Sequence, residues 1–565
     1  MRIVYRQRSS RRQDISPIDE GDVLELLEND WNDYGYETTF NTACRVAGEV
    51  LDLGSIKILF EGKTSSRGGL RDLAAGDWDG SFPLVGQSYI SVPTEITFYQ
   101  QLVSLLGEQQ ASEVALALRD ASYLVNLRND AEAVRMSKAP GFETSLQRER
   151  GAQNAFLDGW KVFTDQTAIA NNLDFRFLDA NGDSQTISFR FQTESLLPHD
   201  INVLIGPNGV GKSQLLHQLV RDWIDDADDK AEGAPGFISR PSLSQIVVLS
   251  YSPFERFPVT MGREDLQDND AYKYFGLRGQ SAGQGEPVAD DLLSLEVPKM
   301  ASARSLLSCI ADDQRFRSVR EWAKKLATVE DVLRTAFPFD FAAVEVERSP
   351  RPIFSRGNPF RPSPLFDGPA GEQFVRIESA GQELLLSDSI TEKLKPERGV
   401  VFFKDGAPLE LSSGQRLFSY IVINLLGVMR RNSLILIDEP ELFLHPTLEI
   451  QLVDMLKEIL KQFNSKALFA THSIVTVREI PADCVHVFAR TDDGIAVQNP
   501  PFQTFGGDVQ RITSYVFGDR AVSKPFESWI KDQLRDHSAA DLINLLRDEL
   551  NEEMIIQIAA MGRVV

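Results

Sequence analysis

Residues 201–213 read Ile-Asn-Val-Leu-Ile-Gly-Pro-Asn-Gly-Val-Gly-Lys-Ser. The apolar run Val203 to Ile205 predicts a buried strand. Gly206, Pro207, Asn208, Gly209, Val210, Gly211, Lys212 and Ser213 fill every fixed position of the G-x-x-x-x-G-K-S phosphate-binding loop. Gln214 to Val220 follows with its apolar residues at helical spacing, so the context is strand, glycine-rich loop, helix. Glycines let backbone N–H groups crowd around phosphate oxygens, and the helix N-terminus adds partial positive charge. In such a loop Lys212 reaches the β- and γ-phosphates of a nucleotide, and the Ser213 hydroxyl holds Mg²⁺.

Outward from this stretch, composition sets the bounds. A chain of 565 residues is too long for one ordinary core, so two or three domains are expected. Its apolar and charged fractions, 42% and 25%, are those of a globular protein in water. Its apolar runs are too short and interrupted to span a bilayer, and Met1 to Tyr5 lacks a signal-peptide core, so a cytoplasmic protein with no membrane contact is expected. Cys44, Cys309 and Cys484 lie far apart and read as reduced thiols. A net charge of −23 argues against a surface that binds nucleic acid everywhere, although a local basic groove stays open.

Residues 1–165 read as an N-terminal α+β interaction or sensing domain, with strands at Thr38 to Phe40 and Ile56 to Phe60, helices at Phe98 to Leu106 and Glu113 to Leu127, and a strand-turn unit around Trp31 to Tyr36. The arginines of residues 1–12 read as a solvated terminus. Residues 166–259 open the nucleotide-binding core. Phe175 and Phe177, the turn Ala180-Asn181-Gly182-Asp183, then Ile187, Phe189 and Phe191 predict a hairpin, and hence an antiparallel sheet beside a parallel core. Asp225 to Glu232 reads as an acidic loop, and Ile246 to Tyr251 as a buried strand. Residues 260–400 predict a mixed helical insertion, with a Gly/Gln-rich linker (Leu277 to Pro287), a helical stretch (Ala301 to Phe337) and a Pro/Arg-rich segment (Arg348 to Pro364) whose arginines offer a basic contact surface or a solvated loop. Residues 401–500 resume the core, and 501–565 predict a helical tail with segments near 523–536 and 539–560.

Three further motifs follow the phosphate loop: Leu411-Ser412-Ser413-Gly414-Gln415 opening a helix, Leu434 to Ile437 ending in Asp438-Glu439-Pro440, and Leu468 to Thr471 ending in His472. With the loop, this order resembles the ABC-type ATPase head of transporters, of SMC and RecF-like repair proteins and of the OLD family, over roughly 170–500. The resemblance implies an α/β P-loop ATPase head, a mixed sheet flanked by helices, acting on ATP with Mg²⁺. It implies that Asp438 joins Ser213 in holding the metal, that Glu439 is the base for the attacking water and that His472 is the switch residue at the γ-phosphate. Ser413, Gly414 and Gln415 resemble the signature that closes over ATP bound to a second copy, which implies a homodimer with two ATP sandwiched and leaves higher oligomers open. The family's Mg²⁺-sensing glutamine has no clean match, and Ser252 or Glu255 stands in its neighbourhood.

Glu441-Leu442-Phe443-Leu444-His445-Pro446 after the Asp-Glu pair is similar to the RecF/OLD-like branch rather than to transporters, as are the roughly 200 residues between P-loop and signature. The whole layout resembles antiphage ATPases of the Septu-type and retron-associated kind, which act beside a separate nuclease. The implied function is an ATP switch gating a partner effector. The tail is too short for the Toprim domain of OLD nucleases, so nuclease activity in this chain is not expected. A DNA-repair or chromosome-type ATPase that binds DNA directly, a non-hydrolysing nucleotide-gated scaffold and a transporter subunit are the competing readings.

Overall fold

The computed structural model describes all residues except 8–20, 30–31, 33–34, 47–48, 52, 165–171, 192–194, 226–232, 240, 261–269, 280–292, 316–323, 349–364, 380–392, 492–493, 519–524, 548 and 563–565. Half of the turn at Trp31 to Tyr36, most of the acidic loop and of the Gly/Gln-rich linker, and the Pro/Arg-rich segment beyond Arg348 lie outside the described residues.

The chain forms two compact units, Met1–Gly506 and Gly507–Val565. The first begins with β1 (Arg2–Arg6), β2 (Val23–Glu28), β3 (Thr39–Val46), β4 (Glu49–Leu51), β5 (Ser55–Phe60), β6 (Ser81–Phe82) and β7 (Tyr89–Pro93). These make a sheet of order β6-β1-β2-β3-β5-β7, with β4 on β3. Leu24, Leu26, Phe40, Ile56, Ile58 and Phe60 build one buried core on it, since period-2 alternation brings them to the same face. The break expected after Leu106 is present: the stretch Thr97–Ala117 holds two helical segments that meet at Gly107, which takes the non-helical φ 77° and ψ 163°. The second helix ends at Ala117 rather than Leu127, and Ser122–Leu127 is a π-helical turn.

β8 (Leu173–Leu178) and β9 (Ser184–Phe189) form the expected hairpin, and β11 (Gly236–Phe237) joins β8. Asp179 closes the turn by accepting the N–H groups of Asn181 and Asp183. The central sheet holds β10 (Ile201–Ile205), β12 (Gln245–Ser250), β13 (Tyr272–Gly276), β19 (Ser433–Asp438), β20 (Lys466–Thr471), β21 (Val485–Thr491) and β22 (Gly494–Gln498) in the order β13-β12-β19-β20-β10-β21-β22. All neighbours are parallel except β21 and β22. The mixed α/β sheet expected from the sequence is therefore present. Its strands β10, β12 and β19 are buried on both faces, as parallel strands covered by helices must be, which is why they read as near-continuous apolar runs.

Between β13 and β19 the helices Glu296–Arg315 and Lys325–Ala336 occupy the predicted helical stretch. The sequence reading did not find the antiparallel sheet β15-β16-β14-β17-β18 that follows, built from β14 (Phe341–Val346), β15 (Leu365–Asp367), β16 (Gln373–Ile377), β17 (Val400–Lys404) and β18 (Ala407–Pro408). Phe341, Phe366, Phe374 and Phe403 pack ring on ring there.

The second unit holds helices Val509–Phe517, Pro525–Asp536, Ala539–Leu545 and Glu552–Met561, the last three packed around Ile530, Leu534, Leu542 and Ile558. The single helix expected over 539–560 is two, because Asn551 caps a new start by accepting the Met554 N–H.

Candidate functional site

The site lies at the C-terminal edge of the central sheet, where β10 and β20 end in register (Ile205 opposite Thr471), as do β12 and β19 (Ser250 opposite Asp438). Open parallel sheets bind ligands at this edge. The phosphate loop turns from β10 into the helix Lys212–Asp225. Its first glycine is obligatory for space: a Cβ on Gly206, at φ +155°, would stand 2.3 Å from the Phe488 carbonyl oxygen of β21. The loop is thus pressed against the neighbouring strand by its own missing side chain.

Five of the expected residues converge. Ser213 Oγ donates to Asp438 Oδ1 at 2.9 Å, and Lys212 Nζ lies 3.0 Å from His472 Nε2, which is in turn 3.8 Å from Glu439 Oε1. Lys212 Nζ also donates to the Gly206 and Pro207 carbonyls at 2.9 and 3.0 Å, so the ammonium is held over the loop. Glu439 takes the left-handed backbone conformation, φ 50° and ψ 53°, anchored by its N–H to Ala470 of β20. A non-glycine residue in that region stores strain, of the kind that gathers where a side chain must be aimed.

Burial sets the electrostatics. Asp438 is pushed up to about 7 by burial, with Glu439 and Glu441 adding to the rise and the Ser213 hydrogen bond opposing it. Lys212 is brought down to about 8 by burial against the pull of Glu439, Asp438 and Glu441. His472 falls to about 4, again chiefly by burial and then by the Lys212 charge, so its ring is neutral at pH 7 and Nε2 accepts from the ammonium. A buried carboxylate beside a serine hydroxyl, with two more carboxylates near, is a donor set that suits a hard divalent cation: such an ion would relieve the cost of burying Asp438. Ser213 and Asp438 are the residues that would hold it.

Ser413, Gly414 and Gln415 start the helix Ser413–Val428 and are not part of this cluster. Ser412 and Gln415 form a reciprocal capping box, so the Gln415 side chain is spent on the helix start, while Ser412 and Ser413 are exposed. A Cβ on Gly414 would stand 3.0 Å from the Phe443 carbonyl oxygen, beyond the Asp-Glu turn. Of the two residues singled out near 251–255, Glu255 is engaged by Arg278 at 2.6 Å, by the Tyr274 hydroxyl and by the Phe257 N–H. Ser252 is buried, and Ser250 rather than Ser252 stands opposite Asp438.

The sequence reading assigned no role to three further residues. Glu441 accepts the His472 backbone N–H, Glu449 accepts the Ser473 hydroxyl, and Arg490 donates to the Gly209 carbonyl at 3.1 Å. Glu441 is separated from its partner by 31 residues and Arg490 by 281, so only the fold joins them. The third carboxylate in Asp438-Glu439-Pro440-Glu441 was the one available signal.

Residues 310–478 match the family model "AAA domain, putative AbiEii toxin, Type IV TA system". The matched stretch contains Ser413 to Gln415, Asp438, Glu439 and His472 and begins after the phosphate loop, so the chain carries an AAA-type domain of the P-loop ATPase superfamily. The chain is also 24% identical over 523 residues to Protein ea59 of Escherichia phage lambda, covering 89% of each. Among the described residues no helix is long and apolar enough to cross a membrane.

Proposed function

We propose that this protein is a magnesium-dependent ATP-binding and ATP-hydrolysing switch of the ABC type. It closes as a head-to-tail homodimer over two ATP molecules and through that closure gates a separate effector, a nuclease or another protein, in antiphage defence. One observation carries the ATPase part: at one sheet edge Ser213 bonds Asp438, Lys212 bonds His472, and Glu439 comes within 3.8 Å of His472. Bound Mg²⁺ would neutralise the phosphate charge between Ser213 and Asp438. Lys212 exchanges its loop carbonyls for the β- and γ-phosphates, Glu439 takes the proton of the attacking water, and His472 follows the γ-phosphate. The exposed Ser412 and Ser413 at a helix start support closure against a second copy, because backbone N–H groups there suit a phosphate. The toxin named in the family description and the phage source of the relative support a setting in phage–host conflict.

Glu439→Gln tests this. The amide keeps the shape of the carboxylate but takes no proton, so phosphate release should fall by roughly 10²–10⁴-fold. ATP then stays bound to the closed form, and light scattering should show dimer mass with ATP–Mg²⁺ and not without. Wild-type hydrolysis by the variant would remove Glu439 as the base. An inactive variant whose mass ignores ATP would replace closure with a scaffold role.

A further inference from the structure

The histidine loop is tied down from one side. The segment Thr471-His472-Ser473 leaves β20, and both of its outer anchors come from the chain that follows the Asp-Glu pair. Glu441, in the short turn Pro440–Leu442, accepts the His472 backbone N–H. Glu449, in the helix Pro446–Gln462, accepts the Ser473 hydroxyl, whose oxygen in turn caps the next helical turn by accepting the Thr476 N–H at 3.3 Å. Glu449 is buried, and Glu441 Oε2 is shut off from solvent with no hydrogen-bond partner among the described residues. Burying carboxylates costs free energy, and a solvated loop would need neither. The two hydrogen bonds offset part of that cost, and they hold the backbone of the segment whose His472 ring stands between Lys212 and Glu439.

We infer that Glu441 and Glu449 are positioning residues that clamp the histidine loop onto the segment after the Asp-Glu pair. Neither touches the reacting atoms; each acts through His472. The inference rests on the ATPase reading and adds two residues to it. It also carries a consequence: a shift of the Glu441–Glu449 segment moves His472, so the ring follows whatever contacts Leu442 and Phe443, which are exposed between the two clamps.

Five variants test it, each beside wild type and Glu439→Gln. In Glu441→Ala the His472 N–H loses its acceptor; kcat should drop about 10-fold or more while the affinity for a non-hydrolysable ATP analogue changes less than about threefold, because ångström-scale misplacement acts on the chemical step. Glu441→Gln retains a carbonyl oxygen for that N–H, so kcat should recover to within a few-fold of wild type. Glu449→Gln should behave like Glu441→Gln, and the double Ala variant should lose no more than a His472→Ala variant, since all act through one ring. If Glu441→Gln is as inactive as Glu441→Ala while both bind the analogue and melt like wild type, the carboxylate charge matters and the positioning role is overturned. If Glu441→Ala hydrolyses ATP like wild type while Glu439→Gln does not, the clamp fails and the ATPase reading stands. Absence of hydrolysis in wild type would sink the ATPase reading itself.

Discussion

Burial decides the behaviour of Asp120. Its carboxylate accepts the Tyr99 hydroxyl at 2.7 Å and the Tyr123 N–H at 2.8 Å, yet burial pushes it up to about 7. In the unfolded chain it titrates in the usual range, about 3.9. The folded form therefore keeps a proton that the unfolded form has lost, and the stability it contributes is full below the ordinary value and declines as pH rises towards 7. Asp120→Asn carries no titrating group, so its melting temperature should gain on wild type as pH is raised from 5 to 7.5. An equal difference at every pH would show that the carboxyl does not titrate with folding. Single residues of the nucleotide site were far easier to read from the sequence. Lys212 and Ser213 sit at fixed offsets from two glycines, and Asp438-Glu439 ends an apolar run. Glu441 and Arg490 lacked any such offset, because their partners are reached only through the sheet.

Among elements, close approach distinguishes the helix Ser413–Val428. A Cβ on Gly427 would stand 2.5 Å from the Ser305 carbonyl oxygen, so this glycine lets the helix Glu296–Arg315 cross almost backbone to backbone. Gly427→Val should cost about 1–3 kcal/mol, as overpacking does, read as a lowered denaturation midpoint; an unchanged midpoint would mean that the two helices separate freely. Four strands of the central sheet, β10, β12, β19 and β20, could be read from the sequence as apolar runs, whereas β13, β21 and β22 carry interrupting polar residues or are too short and gave no such signal. The sheet β14 to β18 could not, because its strands are short and its partners distant: Leu365 pairs with Val375 but Phe341 with Phe403. A hairpin announces itself through its turn, whereas a pairing across some sixty residues has no local signature.

At the scale of the whole molecule, helices of the N-terminal region contact the central sheet at the edge opposite the phosphate loop. The Arg150 guanidinium lies 4.4 Å from the Trp223 ring centre and donates to the Trp223 carbonyl, at the far end of the phosphate-loop helix. Asn154 donates to the Leu243 carbonyl at 3.0 Å, just before β12, and Arg431 pairs with Glu95 at 3.3 Å, just before β19. Composition and pattern predict a separate region at 1–165 but give no hint of these contacts, since each joins single residues far apart in the chain. The proposed dimer belongs to this scale. Ser413 is exposed at a helix start, so Ser413→Arg should leave the fold and ATP binding by one copy within about threefold while turnover falls at least about tenfold through obstructed closure. Wild-type turnover in that variant would rule out the sandwich.

The strand that carries the phosphate loop has its neighbours on both sides, β20 and β21, drawn from residues 466–491. During synthesis on the ribosome, the loop leaves the exit tunnel well over two hundred residues before either flank exists. β10 must therefore wait with both of its hydrogen-bonding edges open, which makes it a natural handle for chaperones. It also means that a chain cut short before residue 466 lacks both strands that flank β10, so such a fragment should be cleaved by protease faster than the full chain; equal resistance would show that β10 needs neither neighbour.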